Sequence, residues 1–522
     1  MSIVFVNGRV YVGPGRSAEA LVAKHGRIAA VGASSALRDA YPEARAIDLR
    51  GGLLVPGFTD AHCHFLWWAI QATRLDLSET STLDAALAKI DAHARSLRED
   101  AWLVGGRFDK NVWGRWPHRE ELDRVSRGHP AVLRSRDGHS RWANSRALAV
   151  AGVTRDTPTP EGGEIERDAS GQPTGILREN AIRLLDAVIP QPTRDDVRRA
   201  LRWGQTEAVS RGLTAIHDLD NPMPDAHRGF QELLDVGALH LRVHMGIPHA
   251  RLDAAIDLGI RTGLGSEWLQ FSNLKIFTDG ALGSQTAALE QSYEGTDYAG
   301  VLTVDRAQLR ADVQRAADAG IGVAIHAIGD RAVRVALDAI EAAGGSRGRL
   351  RHRLEHIQLI RDDDITRFAR LGVIASMQPI HATSDRDIAD RYWGARCARA
   401  YTWRSLRDAG VTLAFGSDAP VEPIDPLLGM YAAITRKRPA DVRPWYPEQR
   451  ITLDDAIAGY TSGAAFAVGR EAELGTLEVG KWCDAVVLAR DIFREPAEVL
   501  LDPSLVRATI TAGEVRYDGG LG

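Results

Sequence analysis

Residues 52–65, GLLVPGFTDAHCHF, form an apolar run of strand length that ends in His62 and His64. Amphipathic helical stretches such as residues 193–212, with Thr193 as a suitable N-cap, separate most of the later apolar runs. Those runs lie at residues 213–220, 239–247, 271–280, 322–329, 351–359, 372–379 and 411–420. A series of eight strand–helix units predicts an α/β fold with a (β/α)8 TIM-like barrel, and a doubly wound parallel sheet is the alternative.

Short β segments punctuated by turn residues lie at both ends of the chain, at residues 3–12, 26–32, 46–57, 474–489 and 506–519. They predict a small β-sandwich-like domain built from both termini, residues 1–56 plus 465–522. The barrel domain then spans residues 57–464. The long interval between the first two barrel strands predicts an inserted segment at roughly residues 75–195.

The composition excludes several classes of protein. The chain has 522 residues, 44% hydrophobic and 25% charged, with a net charge of −5, so it is neither disordered nor of low complexity. We find no basic block for nucleic acid and no apolar run of about 18 residues for a membrane. Three scattered cysteines argue against a disulfide framework, and the alternating first residues resemble a strand more than a signal peptide. We expect a cytoplasmic protein.

Polar residues that bind metals fall at the C-terminal ends of the predicted strands, where a barrel collects its active site. His62 and His64 are two residues apart, so on an extended chain both rings face the same way. The other candidates are Lys275, His326, His356 and Asp418.

Each of these residues also has a structural interpretation. A strand-end histidine is commonly a hydrogen-bonded buried residue, Lys275 can form an ion pair, and Asp418 before Ala-Pro can cap a turn. The candidates lie at corresponding ends of five strands: four histidines, one lysine and one aspartate. Independent structural roles would not place all of them at equivalent positions. The pattern therefore predicts a metal site.

The sequence resembles the amidohydrolase superfamily. More narrowly, it is similar to amidohydrolase family 3, the YtcJ-like subgroup that includes N-substituted formamide deformylases. The resemblance covers nearly the whole chain. It is carried by GFTDAHCHF (57–65), DGHSRWANSRAL (137–148), KIFTDGALGSQTAAL (275–289), AIHAIGDRAV (324–333), RLEHIQ (353–358) and FGSDAPV (415–421).

The resemblance implies two divalent metal ions, with zinc as the first expectation for histidine-rich ligation. His62 and His64 would bind the more buried ion with Asp418, and His326 with His356 would bind the second. Lys275 would bridge the ions as a carboxylated lysine, since an amine among apolar neighbours loses its proton more readily. A metal-bound hydroxide would attack, and Asp418 would pass its proton to the leaving nitrogen.

These features predict an amidase or deformylase that cleaves a C–N amide bond, other than a peptide bond, in a small and partly apolar molecule. The alternative is a deaminase or another hydrolase on the same barrel, acting on a cyclic amidine or an ester. The deaminase is disfavoured because Ala-Ile-Gly-Asp, without a glutamate, follows His326. A catalytically silent regulatory relative is disfavoured further because all six ligands are present. A small-molecule amide is the expected partner, with neither nucleic acid nor membrane, and a homodimer is left open.

Candidate substrate contacts lie near the metal motifs and in the insertion. Aromatic residues that follow the His-x-His motif should line the pocket mouth, with barrel packing as the equal alternative. The resemblance implies that the segment of the insertion around Asp137 and His139 closes over the pocket, and Trp113 lies in a loop that can form a lid. The candidates are Phe65, Trp67, Trp68, Trp113, Asp137, His139, Asp279 and Gln378.

Overall fold

A computed structural model describes residues 2–72, 74–99, 101–136, 138, 140–219, 226–348 and 350–521. The chain forms two compact units, residues 1–66 with 201–522 and residues 67–200. Among the described residues, no helix combines the length and the apolar character that a membrane crossing requires.

The first unit contains a parallel sheet of eight strands in sequential order. Its strands are β1 (Phe58–Cys63), β2 (Leu213–Asp218), β3 (Arg242–Pro248), β4 (Leu269–Phe277), β5 (Val323–Ala327), β6 (Arg353–His356), β7 (Ile374–Met377) and β8 (Leu413–Phe415). Asp418 N–H donates to the His62 carbonyl at 2.7 Å, and His64 N–H donates to the Ala419 carbonyl at 2.8 Å. These bonds connect the ends of β1 and β8, so the predicted TIM-like barrel is confirmed.

The barrel strands are apolar along most of their length because both faces are buried in a parallel sheet. Every residue of β1, β2, β6, β7 and β8 is buried. The charged and imidazole side chains in these strands therefore face a dehydrated interior, where each needs a specific partner.

Helices connect the strands and cover the barrel. Thr193 caps the helix that precedes β2, because its hydroxyl accepts the Asp196 N–H at 3.2 Å. The α-helices of the first unit that follow β2 are Ala226–Asp235, Leu252–Asp257, Arg306–Asp318, Asp330–Ala342, Asp362–Leu371, Pro379–Ser384, Arg386–Trp393, Trp403–Asp408, Pro426–Thr435, Leu453–Gly459 and Ser462–Ala467. Two further helices, Phe65–Ala72 and Arg194–Ser210, contain residues of both units.

Strands from both ends of the chain share one sheet. Leu53–Pro56 pairs antiparallel with Ala485–Leu488. The six-stranded sheet contains, in spatial order, Glu514–Asp518, Val506–Thr511, Ala485–Leu488, Leu53–Pro56, Arg9–Gly13 and Arg16–Ala18. A four-stranded sheet contains Arg27–Gly32, Ala20–Lys24, Ser2–Val6 and Arg45–Asp48, with helix Ser34–Ala40 nearby in sequence.

Both terminal sheets belong to the same compact unit as the barrel. Phe5, Val10, Leu54, Val487 and Ile510 pack in one apolar cluster, which joins residues from the two chain ends. The assignment of residues 1–56 plus 465–522 to a separate sandwich domain stays a prediction.

The second unit, residues 67–200, has its own core and sheet. Its apolar cluster includes Phe108, Leu133, Trp142 and Ile176. The six strands, in spatial order, are Gly163–Arg167, Pro173–Glu179, Ser140–Ala143, Ala131–Ser135, Leu103–Phe108 and Leu75–Asp76. The helices are Leu83–Ala94, Lys110–Trp113, Arg119–Val125, Ser145–Val150 and Arg183–Asp186.

Candidate metal centre

Four histidine rings from three barrel strands lie next to one another in the first unit. The His62 ring centroid lies 5.6 Å from that of His64 and 4.8 Å from that of His356. The His326 and His356 centroids are 4.6 Å apart. These contacts bring together side chains that are separated by up to about 290 residues of sequence, as parallel strand ends in a barrel should.

Asp418 joins this group from the loop after β8. Its Oδ1 lies 3.4 Å from His62 Nε2 and 3.2 Å from His64 Nε2. His62, His64 and Asp418 each place a ligand atom within 4.8 Å of the others, and so do His356, His381 and Asp418. Each set can therefore hold a metal ion, and Asp418 belongs to both.

The second ring nitrogen of three histidines is already engaged. His62 Nδ1 donates to Glu355 Oε2 at 2.6 Å, and His326 Nε2 donates to the Gly280 carbonyl at 3.0 Å. His356 Nδ1 donates to Gln378 Oε1 at 2.8 Å. The lone pairs of the other ring nitrogens are left for a cation, which is the usual arrangement of metal-binding histidines. His62 Nε2 is buried and makes no hydrogen bond to any described residue.

Burial and charge keep these imidazoles neutral, the form in which histidine binds metals. Burial, followed by the charge of Lys275, lowers the pKa of His62 to about 4 despite the opposing Glu355. The same two causes lower the pKa of His326 to about 3. For Asp418, burial favours the neutral acid, but hydrogen bonds from His381 and His64 hold its pKa well below the ordinary value. The donor set of neutral imidazoles and an ionised carboxylate fits a divalent metal.

Two members of the group have a backbone conformation that side chains seldom adopt. His356 has φ 74° and Asp418 has φ 59°, both in the left-handed region. Such residues cost about 1–3 kcal/mol each and concentrate at functional sites. At His356 this conformation ends β6 and directs the ring toward His62 and His326.

Lys275 lies within the buried part of β4, as predicted. Its Nζ lies 4.7 Å from the centre of the Phe277 ring. After burial, the charge of Lys275 contributes to lowering the pKa of His62, His326 and His356.

His381 is a member of the site that sequence reasoning missed. It lies in helix Pro379–Ser384, with Nε2 3.4 Å from Asp418 Oδ2 and Nδ1 3.8 Å from Asp385 Oδ2. Burial favours the neutral ring, yet Asp385 and Asp418 hold the pKa of His381 well above its ordinary value. The available signal was the position of His381 three residues after Gln378, in a segment already placed beside the site.

The candidate substrate contacts near the barrel have defined partners. Phe65 is fully buried, with its ring centroid 6.0 Å from that of Phe230. The Asp279 carboxylate accepts the N–H groups of Ala288, Ile328 and Gly329 at 2.9–3.1 Å. Asp279 thus holds two loops together, and the roles of Phe65 and Asp279 in substrate binding stay predictions.

Three candidates lie in the second unit. The Arg134 guanidinium lies 4.2 Å from the centre of the Trp67 ring, and Trp68 lies in helix Phe65–Ala72. Trp113 stacks on Phe108 with centroids 5.4 Å apart, and its Nε1 donates to the Thr80 carbonyl at 3.0 Å. Their predicted contacts with substrate are untested. Asp137 and His139 lie outside the described residues.

Phe277 is a second residue that sequence reasoning missed. Its side chain is 41% exposed although it follows the buried part of β4. The ring centroid lies 5.2 Å from that of His326. A large exposed aromatic ring beside a candidate ligand offers an apolar surface to a bound molecule.

Comparison with known proteins places the chain in a family. Residues 45–517 match the model of the amidohydrolase family. The chain is 32% identical to the putative amidohydrolase YtcJ of Bacillus subtilis, over 99% of this chain and 100% of that protein. It is 30% identical to the N-substituted formamide deformylase of Arthrobacter pascens, over 99% of this chain and 98% of that protein.

A solved structure is also similar to this chain. An uncharacterized metal-dependent hydrolase from Pyrococcus horikoshii superposes with a TM-score of 0.81 and 27% identity, covering 95% of this chain and 99% of that one. The family match over most of the chain and the near-complete coverage of both relatives confirm the resemblance found in the sequence. The chain belongs to the amidohydrolase family of metal-dependent hydrolases.

Proposed function

We propose that the protein hydrolyses a C–N amide bond of a small, partly apolar molecule. The observation that carries this proposal is the convergence of His62 and His356 on the ionised Asp418, with His326 beside His356, and each of these three rings has one nitrogen already engaged. The 30% identity with an N-substituted formamide deformylase supports a substrate of the formamide class.

The proposed metal ligands are those of the family pattern. His62, His64 and Asp418 would hold one divalent ion, and His326 and His356 would hold a second, with zinc as the expected metal. Carboxylated Lys275 would bridge the two. When bound, the ions would supply activation of water and polarisation of the scissile carbonyl.

Residues of the chain would carry out proton transfer and substrate binding. Asp418 accepts a proton from the attacking water on a carboxylate oxygen as the new C–O bond forms. It then delivers that proton to the leaving nitrogen as the C–N bond breaks and the carbonyl is restored. Because its pKa is held low, Asp418 is ionised before the reaction begins. Gln378 Nε2 is buried without a hydrogen bond to any described residue, and we propose that it donates to the substrate.

A panel of amides tests the reaction class. N-substituted formamides should be hydrolysed with release of one equivalent of amine and formate, both quantified by chromatography. Exclusive loss of an exocyclic amine as ammonia from cyclic amidines would instead support the deaminase alternative. Absence of turnover on amides, amidines and esters by the metal-loaded protein would contradict the proposal.

Removing the bridging lysine should reduce metal content. In Lys275→Ala, bound metal is expected to fall from two equivalents to one or fewer, because the anion that offsets repulsion between the ions is lost. The measurement is elemental analysis of purified protein. Lys481→Ala is the matched control: its Nζ donates to the Glu471 carbonyl at 2.6 Å, so it loses an ordered amine outside the site. Equal metal content in both variants would contradict the bridged site.

Phe277 should favour substrates with an aromatic substituent. An aromatic contact contributes about 0.5–1.5 kcal/mol, so Phe277→Ala is expected to lower kcat/KM for N-aryl formamides roughly 2- to 12-fold. N-methyl formamide should be affected less. Phe493→Ala, which removes a ring stacked on Tyr11 at 5.2 Å, is the matched control and should change neither value. An equal loss for both substrates would show that Phe277 does not select the substituent.

A further inference from the structure

A buried ion pair lies beside the candidate metal centre. Arg353 and Glu355 are two residues apart on β6, so their side chains project from the same face of the strand. Both side chains are fully buried. Arg353 Nε donates to Glu355 Oε1 at 2.5 Å, and Arg353 Nη2 donates to Glu355 Oε2 at 3.1 Å. The pair is therefore bidentate and shielded from water.

The Arg353 guanidinium is anchored by three other barrel strands. It donates to the Ala61 carbonyl on β1 at 2.6 Å, to His217 Nδ1 on β2 at 2.9 Å and to Ser376 Oγ on β7 at 2.5 Å. Removing two charges from water is costly unless hydrogen bonds satisfy both groups. The partners of Arg353 supply those hydrogen bonds and hold the pair in one geometry. Arg353 thus gives the Glu355 carboxylate a fixed position across the barrel interior.

Among the described residues, the Glu355 carboxylate makes one hydrogen bond outside the pair. Its Oε2 accepts the Nδ1 proton of His62 at 2.6 Å. A histidine with its proton on Nδ1 presents its lone pair on Nε2, and His62 Nε2 lies 3.4 Å from Asp418 Oδ1. The pair thus acts on the nitrogen that faces the candidate metal centre.

We infer that Arg353 and Glu355 are positioning residues for the metal centre: Glu355 fixes the tautomer and orientation of His62, and Arg353 fixes Glu355. The consequence for metal affinity rests on the proposed role of His62 as a ligand, whereas the tautomer does not. A carboxylate behind a histidine also increases the basicity of the ligating nitrogen.

Zinc affinity of the metal-free protein tests this inference. Glu355→Gln keeps the size of the side chain but removes its charge, and zinc affinity is expected to fall about 10- to 100-fold. The measurement is competition with a chromophoric chelator. Folded Glu355→Gln with the affinity of the wild type would overturn the inference.

The matched control is Asp364→Asn. The Asp364 side chain is also fully buried, and it is held by Arg334 at 3.1 Å and Arg367 at 3.0 Å on a helix outside the site. Asp364→Asn should lose stability as Glu355→Gln does but keep the zinc affinity of the wild type. A similar loss of affinity in Asp364→Asn would show that any buried ion pair has this effect and would overturn the assignment.

A double-mutant experiment with His62 distinguishes a positioning role of Glu355 from a general structural role. In a His62→Ala background, Glu355→Gln is expected to cause no further loss of zinc affinity, since its effect passes through His62. An equal loss in both backgrounds would overturn the inference.

The tautomer of His62 can be measured without altering the pair. In apoprotein labelled with ¹⁵N at histidine, the His62 resonances, assigned by their absence in His62→Ala, should show a protonated Nδ1 and an unprotonated Nε2. A protonated Nε2 with a bare Nδ1 would overturn the inference even if Glu355→Gln fails to fold. Absence of zinc binding by the wild type would contradict the proposed function alone.

Discussion

Asp418→Asn is expected to lower kcat by about 10²–10⁴-fold, the usual contribution of a positioned acid–base group. Asparagine matches aspartate in size but carries no charge and cannot take a proton from water. The carboxylate is prepared for this role because contacts from His381 and His64 keep it ionised in a buried site. Initial rates of amine release, with bound metal measured on the same samples, provide the test.

The metal measurement separates two consequences of the substitution. Asp418 lies near both His62 and His64, so its loss can weaken metal binding as well as proton transfer. Rates are therefore compared at saturating zinc. Asp425→Asn, seven residues further on, is the control: Asp425 caps helix Pro426–Thr435, and asparagine is an equally good cap. Metal-replete Asp418→Asn with the kcat of the wild type would rule out Asp418 as the proton carrier.

The sequence predicted the barrel and placed the candidate ligands at the ends of its strands because both depend on local patterns. Buried parallel strands are continuous apolar runs, and a polar residue such as Lys275 is conspicuous within one. His62 and His356 could be placed together because parallel strands end at the same face of a barrel. No knowledge of distant contacts was needed for these predictions.

The residues that were missed depend on contacts between distant parts of the chain. Glu355 lies inside the quoted RLEHIQ motif, but its partner His62 is 293 residues away, and no periodicity reveals that pair. His381 follows a strand and reaches Asp418 from a helix, so the rule of strand ends does not identify it. Phe65 is a different case: the sequence left a pocket wall and barrel packing equally open, its ring packs against Phe230, and its role in substrate binding stays a prediction.

The terminal sheets show the same limit. The β character of both ends was evident, but the antiparallel pairing of Leu53–Pro56 with Ala485–Leu488 is a choice of partner and register. Register is set by which face is buried against the rest of the fold, and that face is defined only after folding.

Asp484→Ala is expected to reduce the free energy of unfolding by about 3–5 kcal/mol, the cost of leaving a buried charge without its partner. Asp484 binds Arg242 of β3 in a bidentate pair, with Nε to Oδ2 at 2.6 Å and Nη2 to Oδ1 at 3.0 Å. The Arg242 guanidinium lies 4.8 Å from the centre of the Trp268 ring and 4.7 Å from that of Trp482. The pair thus ties a barrel strand to the C-terminal segment, and chemical unfolding followed by tryptophan fluorescence measures its loss.

A surface ion pair and a double substitution show whether the loss of stability is caused by an unpaired buried charge. Asp253→Ala removes an exposed partner of Arg315 and should cost about 0–1 kcal/mol, because water screens that pair. Replacing both partners, as in Arg242→Met with Asp484→Leu, should recover much of the loss, since no buried charge then remains unpaired. If the double variant is as unstable as Asp484→Ala, the loss of stability comes from altered packing around Trp268 and Trp482. The unpaired buried charge of Arg242 is then not its cause.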